Sequence, residues 1–173
     1  MTELTVRRLR RVDERHLGEL AEVLLDCVAG GASVSFMLPL SRDQALTFWR
    51  GVASGVERGE RALVVALDEQ GVIVGTAQVV LAQPDNQPHR GDLAKMLVHQ
   101  RARRSGAGAA LLTAAEDAAR EAGKTLLVLD TASAEAERLY ARGGWQRVGV
   151  VPDYALLPHG GFCDTVFYFK RLA

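Results

Sequence analysis

One stretch restricts the fold more than any other: GDLAKMLVHQRARRSGAGAALLTAAEDAAREAGKTLLVLD, residues 91–130. An apolar strand-like run (91–99) leads into a basic loop with two glycines. A helix-period pattern follows from about 105 to 122, then Gly123 and a second apolar run, KTLLVLD (124–130). A strand, helix and strand in this order predict two parallel strands joined by a right-handed crossover.

The rest of the chain predicts hairpins and helices around that unit. LTVRRLR (4–10) alternates and reads as an edge strand. Asp13 is placed to cap a helix over 14–29, with Leu17, Leu20, Ala21, Leu24, Leu25 and Val28 at helical spacing. GGASVSFMLP (30–39) is a break, after which Ser41 caps a second helix carrying Ala45, Phe48, Trp49 and Val52. Residues 61–83 read as two strands around a turn with Gly71, an antiparallel hairpin. A short helix at 134–144 and strands near 145–151 and 163–170 complete the order. The fold class is α/β: one domain over 1–173, with a mixed, mostly antiparallel sheet flanked by helices.

Lys+Arg and Asp+Glu both number 21, so the formal net charge is zero. That balance argues against a general nucleic-acid binder, and no nucleic-acid partner is expected. Two distant cysteines, Cys27 and Cys163, suit neither a disulfide framework nor a zinc site. No metal is expected, and the reducing cytoplasm is the expected location. No run approaches the ~18 apolar residues of a membrane span, so no membrane partner is expected either.

The basic loop, RARRSGAG (101–108), opens the central helix. That helix shows an apolar face of Ala107, Ala110, Leu111, Ala114, Ala115, Ala118 and Ala122, with Thr113, Glu116, Asp117, Arg120 and Glu121 expected to point away. At its N-terminus about four backbone N–H groups lack helical partners, and the helix dipole adds roughly half a positive charge. Small residues there let a ligand approach the backbone, and arginine forks suit phosphate oxygens. A diphosphate fits. A Walker loop is excluded because no lysine follows the glycines. A dinucleotide fingerprint fails at Leu111, where Gly or Ala would be required.

What remains is Arg103-x-x-Gly106-x-Gly108 after a strand ending in LVHQ. This resembles the (Gln/Arg)-x-x-Gly-x-(Gly/Ala) pattern with which the GNAT acetyltransferase superfamily binds the pyrophosphate of coenzyme A. Ala136-x-x-Leu139-Tyr140-x-x-x-Gly144-Trp145 resembles the same family's second signature. GGASVSFM (30–37), the KM-LV strand, the LD-T stretch at 129–131 and YFK (168–170) are similar to the tabtoxin-resistance acetyltransferases. The resemblance spans nearly the whole chain and implies acetyl-CoA as cosubstrate.

Carried over to matching positions, the resemblance implies that the main chain of Met96, Leu97 and Val98 holds the pantetheine arm. Arg103, Arg104, Ser105, Gly106, Ala107 and Gly108 take the pyrophosphate. Two carboxylates are candidates for the general base. Asp92 lies fourteen residues before Gly106 and about 13 Å along the strand from Met96, so it would act through water. Asp130 ends the neighbouring strand, and could be the base or hold the cationic group of an amino-acid-like acceptor. Tyr140 matches the family's general acid. Ser33, Ser35 and Phe36 are expected to line the acceptor pocket, with Tyr154 and the PHGGF turn closing it. Cys163 reads as a buried small residue, His89, His99 and His159 as surface histidines, and Phe48 and Trp49 as core. The implied function is acetyl transfer by direct attack to an amine or hydroxyl of a small polar, antibiotic- or amino-acid-like acceptor. Protein N-terminal or lysine acetylation, and an acyl-CoA sensor without turnover, are the alternatives. The chain could be a monomer or a homodimer.

Overall fold

The computed structural model describes residues 3–173. A seven-stranded sheet runs β1-β2-β3-β4-β5-β7-β6, built from β1 (Thr5–Leu9), β2 (Arg61–Leu67), β3 (Ile73–Val80), β4 (Arg90–Val98), β5 (Leu126–Thr131), β6 (Gln146–Leu156) and β7 (Phe162–Arg171). Every neighbouring pair is antiparallel except β4 with β5. This is the mixed sheet the sequence predicts, with 4–10 supplying an edge strand as expected.

Two apolar layers cover the sheet. In β2, Ala62, Val64 and Ala66 pack on the layer containing α3 (Ala107–Glu121). The alternate residues Leu63, Val65 and Leu67 pack on α1 (Glu14–Ala29) and α2 (Arg42–Glu57). A strand with both faces buried explains the unbroken apolar run ALVVAL (62–67). Asp13 and Ser41 each form a capping box at the start of α1 and α2, and Ser133 caps α4 (Ala134–Arg142). Each fixes where its helix begins.

Three expectations are corrected. Glu116 does not face away: it is buried, its carboxylate accepting from Trp145 Nε1 at 2.9 Å and Lys170 Nζ at 2.8 Å. A carboxylate can be buried when it is paired in this way. Ala110 and Ala122 are exposed instead, and α3 begins at Ala107 rather than near 105. Between the strands expected near 145–151 and 163–170, β6 runs on to Leu156 and β7 starts at Phe162, so only 157–161 lie outside the strands. A bulge between Val151 and Ala155, with Asp153 in the left-handed region, lets the strand bend without ending.

The parallel pair is short. β4 and β5 pair only from Arg90↔Leu126 to Asp92↔Val128. Beyond Asp92 the strands separate, while β5 keeps its pairing with β7 through Thr131. The β5-facing backbone of Leu93–Val98 is therefore unpaired with β5, and a cleft opens between the strands.

Candidate active site

The cleft has a volume of about 590 Å³ and is bounded by β4, the start of α3, the end of β5 and α4. Its first half is built from a continuous stretch. Met96, Leu97 and Val98 line it, followed by Arg103 and Arg104 and then Gly106, Ala107, Gly108 and Ala109. A short 3-10 turn over Gln100–Ala102 redirects the chain from β4 to α3. Arg104 and Gly106 both adopt left-handed φ, 59° and 84°, which turns the backbone into the helix.

Alone among the four helices described, α3 starts without a side-chain cap. Its first N–H groups face the cleft unpaired by any capping oxygen, which is a ready-made oxyanion site. Gly108 is small for another reason. A Cβ there would stand 3.2 Å from Leu139 Cδ2, so its absence lets α4 close on α3.

The three loop arginines divide. Arg103 lines the cleft, its Nε donating to the Val98 carbonyl at 3.4 Å, and Arg104 lines it in the open. Arg101 turns away and pairs with Asp68 at 2.8 Å. Ser105 does not line the cleft, because its hydroxyl donates to the Ala102 carbonyl and closes the turn. Arg142, which sequence reasoning missed, joins the arginines at the cleft from the end of α4. It lies one helical turn after Leu139, which also lines the cleft, and that spacing was the available signal.

The second half gathers distant residues. Asp130 lies where β5 leaves the parallel pair, and Thr165 Oγ1 donates to its Oδ2 at 2.9 Å. Tyr140 of α4 is buried at 4 % exposure yet lines the same cleft. Burial first, and the Asp130 charge second, push its hydroxyl well above the ordinary tyrosine pKa. It keeps its proton at neutral pH and can donate one. Ser33 and Ser35 line the cleft from the α1–α2 connection, where the backbone N–H of Leu38 donates to the Pro158 carbonyl at 3.0 Å. That bond ties the connection to the turn after β6, and Leu157 reaches the cleft beside it.

Three other expected site residues lie outside the cleft. Asp92 sits at the closed end of the β4–β5 pair, engaged by Arg90 Nη1 and by Gln83 Nε2. The strand separation that makes the cleft begins only after it. Phe36 lies behind the wall, edge-on to the half-buried Phe48 at 5.2 Å. Tyr154 is 52 % exposed and packs edge-on to Phe167 at 6.0 Å, carried off by the β6 bulge. Trp49 is core as expected. Cys163 is half-buried, and its Sγ lies 3.5 Å from Ser33 Oγ. His89, His99 and His159 do not line the cleft, and His99 Nδ1 instead accepts from the Arg101 backbone N–H. Among the residues that sequence reasoning missed on this side are Glu135, at the start of α4, and Lys95. Lys95 lines the cleft from β4 and was visible as the lone charge in LAKMLV.

Such a cleft fits a ligand with a diphosphate and an extended amide arm: phosphates at the uncapped α3 start, arm along the free β4 backbone. Comparison with known proteins points the same way. Residues 31–145 match the Acetyltransferase (GNAT) family. An uncharacterised N-acetyltransferase of Azospirillum brasilense is 33% identical over 132 residues, covering 75% of this chain and 76% of the relative. The fold is similar to yncA of Salmonella typhimurium, solved with its cofactor acetyl-CoA (TM-score 0.80, 21% identity, 99% of this chain and 95% of that one). It is likewise similar to a phosphinothricin acetyltransferase from Sinorhizobium meliloti in complex with acetyl-CoA (TM-score 0.80, 21% identity, 98% and 89% covered). A ribosomal-protein-alanine N-acetyltransferase from Brucella melitensis shares the fold as well (TM-score 0.78, 22% identity, 97% and 99% covered). This chain belongs to the GNAT acetyltransferase family and is an acetyl-CoA-dependent transferase.

Proposed function

We propose that the protein moves the acetyl group of acetyl-CoA to an amine or hydroxyl of a small polar acceptor, by direct attack while both substrates are bound. The observation that carries this reading is the meeting of Asp130 and Tyr140 in one cleft, beside an uncapped helix N-terminus and a free strand edge.

Acetyl-CoA supplies the thioester, and the chain's own residues supply positioning and proton transfer. The α3 N–H groups, Arg103, Arg104 and Arg142 hold the phosphates. The backbone of Met96–Val98 holds the arm, and an N–H of Met96 or Leu97 polarises the acetyl carbonyl. Asp130, oriented by Thr165, takes the acceptor's proton, and Tyr140 returns one to the departing sulfur. Asp92 is the second candidate base, and its engagement with Arg90 and Gln83 makes Asp130 the better choice.

A small acceptor is favoured because the α1–α2 connection and the Pro158 turn are bonded together beside the cleft. The tabtoxin-resistance resemblance and the Sinorhizobium enzyme, named for phosphinothricin, support an antibiotic- or amino-acid-like compound. The Azospirillum relative's name supports an amine. The Brucella protein, named for a ribosomal-protein alanine, keeps a protein N-terminus as the second reading. Two unpaired cysteines suit the cytoplasm, and no helix among the described residues is long and apolar enough to cross a membrane. A screen for free thiol released from acetyl-CoA, run with small amines, amino alcohols and N-terminal peptides, tests the proposal. Turnover of small acceptors over peptides is expected. The reverse order would favour the second reading, and no release with any acceptor contradicts both.

A further inference from the structure

Lys95 occupies a position that a lysine does not adopt readily. Pairing between β3 and β4 passes from Thr76↔Leu97 to Gln78↔Ala94, so Lys95 and Met96 together stand against Ala77. Lys95 has φ 52°, a left-handed conformation that costs a non-glycine residue energy and recurs at functional sites. The bulge falls where β4 borders the cleft, and the half-buried lysine lines it.

Its surroundings are rich in donors and poor in acceptors. Nζ donates to Ser35 Oγ at 3.1 Å and stands 5.9 Å from the Phe48 ring centroid. Among the described residues no carboxylate forms an ion pair with Lys95 or with Arg61 nearby. Arg61 Nη1 instead donates to Gln78 Oε1 at 2.9 Å. Gln78 is fully buried opposite Ala94, and its Nε2 has no acceptor. Burial lowers the Lys95 pKa; the Asp130 charge opposes this, and the Arg61 charge adds to it. A half-buried ammonium held near a guanidinium, with one carboxylate within electrostatic range, is a site that gains from an added anion.

The geometry points to Lys95 as the anchor for a carboxylate on the acceptor, so that the cleft selects amines carrying an acid group: Lys95 and Ser35 hold the acid, Asp130 faces the amine. This rests on the acetyl-transfer reading above and narrows its acceptor to zwitterionic amino acids and their analogues.

Thiol release from acetyl-CoA can be measured with a set of L-amino acids, their α-amides and their decarboxylated amines, on the wild type, Lys95→Met and Lys95→Arg. The readout is the ratio of kcat/KM for each acid to that for its amide, which a merely structural role of Lys95 would leave unchanged. The wild type is expected to prefer acids by on the order of 10- to 100-fold, the scale of a hydrogen bond to a charged group. Lys95→Met should bring the ratio near one, and Lys95→Arg should keep most of it. Amides or simple amines used as well as acids would overturn the inference, as would a ratio that Lys95→Met leaves intact. An enzyme that binds acetyl-CoA but turns over no amino acid overturns it too. Absence of acetyl-CoA binding, measured separately by calorimetry, would instead remove the reading on which it stands.

Discussion

The two halves of the cleft are made differently. The proposed coenzyme side comes mainly from one continuous stretch, from Leu93 on β4 to Ala109 on α3, with a strand edge free of β5 and an uncapped helix start. The acceptor side brings together Ser33 and Ser35, Lys95, Asp130, Tyr140 and Leu157, and it offers side chains. Backbone donors fixed by a helix start and a splayed strand change little when side chains vary. Side chains on connections between elements can change without altering the scaffold.

The largest effect is expected at Asp130. Asp130→Asn should lower kcat/KM by on the order of 10²- to 10⁴-fold, the usual worth of a positioned proton acceptor, with the acetyl-CoA Kd unchanged. A loss confined to kcat marks the base, whereas a rise confined to KM would mean that Asp130 holds the acceptor's cationic group. Tyr140→Phe should cost about 10²-fold in kcat. Because burial raises the Tyr140 pKa, its proton is retained as pH rises. Steady-state profiles should therefore show no alkaline loss assignable to this residue through the physiological range, and such a loss absent from Tyr140→Phe would contradict the assignment.

On the coenzyme side the effect should be smaller and of another kind. A Cβ at Gly106 meets no atom within 4 Å, but φ 84° is hostile to a branched side chain. Gly106→Val should weaken acetyl-CoA binding by about 10- to 100-fold through backbone strain, with acceptor preference unaltered. Calorimetry and the acceptor screen, run together, separate these. The smallest effect belongs to Asp92. Asp92→Asn should change kcat/KM less than about threefold, since its partners Arg90 and Gln83 hold it outside the cleft. A loss matching that of Asp130→Asn would reinstate it as the base.

The same division governs how much could be read from the sequence. Strand, loop and helix at 91–122 were legible because the residues that shape them are neighbours in the chain: Gly106 where φ is positive, Gly108 where α4 packs close, arginines beside them, alanines on the buried face. Arg101 and Ser105 went astray within that stretch because their partners, Asp68 and the Ala102 carbonyl, are set by tertiary contact and by a turn. Glu116 looked solvent-facing because Trp145 and Lys170, which pair with it, lie far along the chain. On the acceptor side the order of elements was legible but their bulges were not. One bulge carried Tyr154 away from the cleft, and the other turned Lys95 into it. Asp92, four residues before Met96, lies on the paired end of β4 and outside the cleft lining.

The uncapped start of α3 and the free edge of β4 are proposed to form the coenzyme A site. Calorimetric titration of the purified chain with acetyl-CoA, using ATP and NADH as controls, tests it most directly. Selective binding of acetyl-CoA in the micromolar range is predicted. No binding, or equal binding of all three, would contradict it.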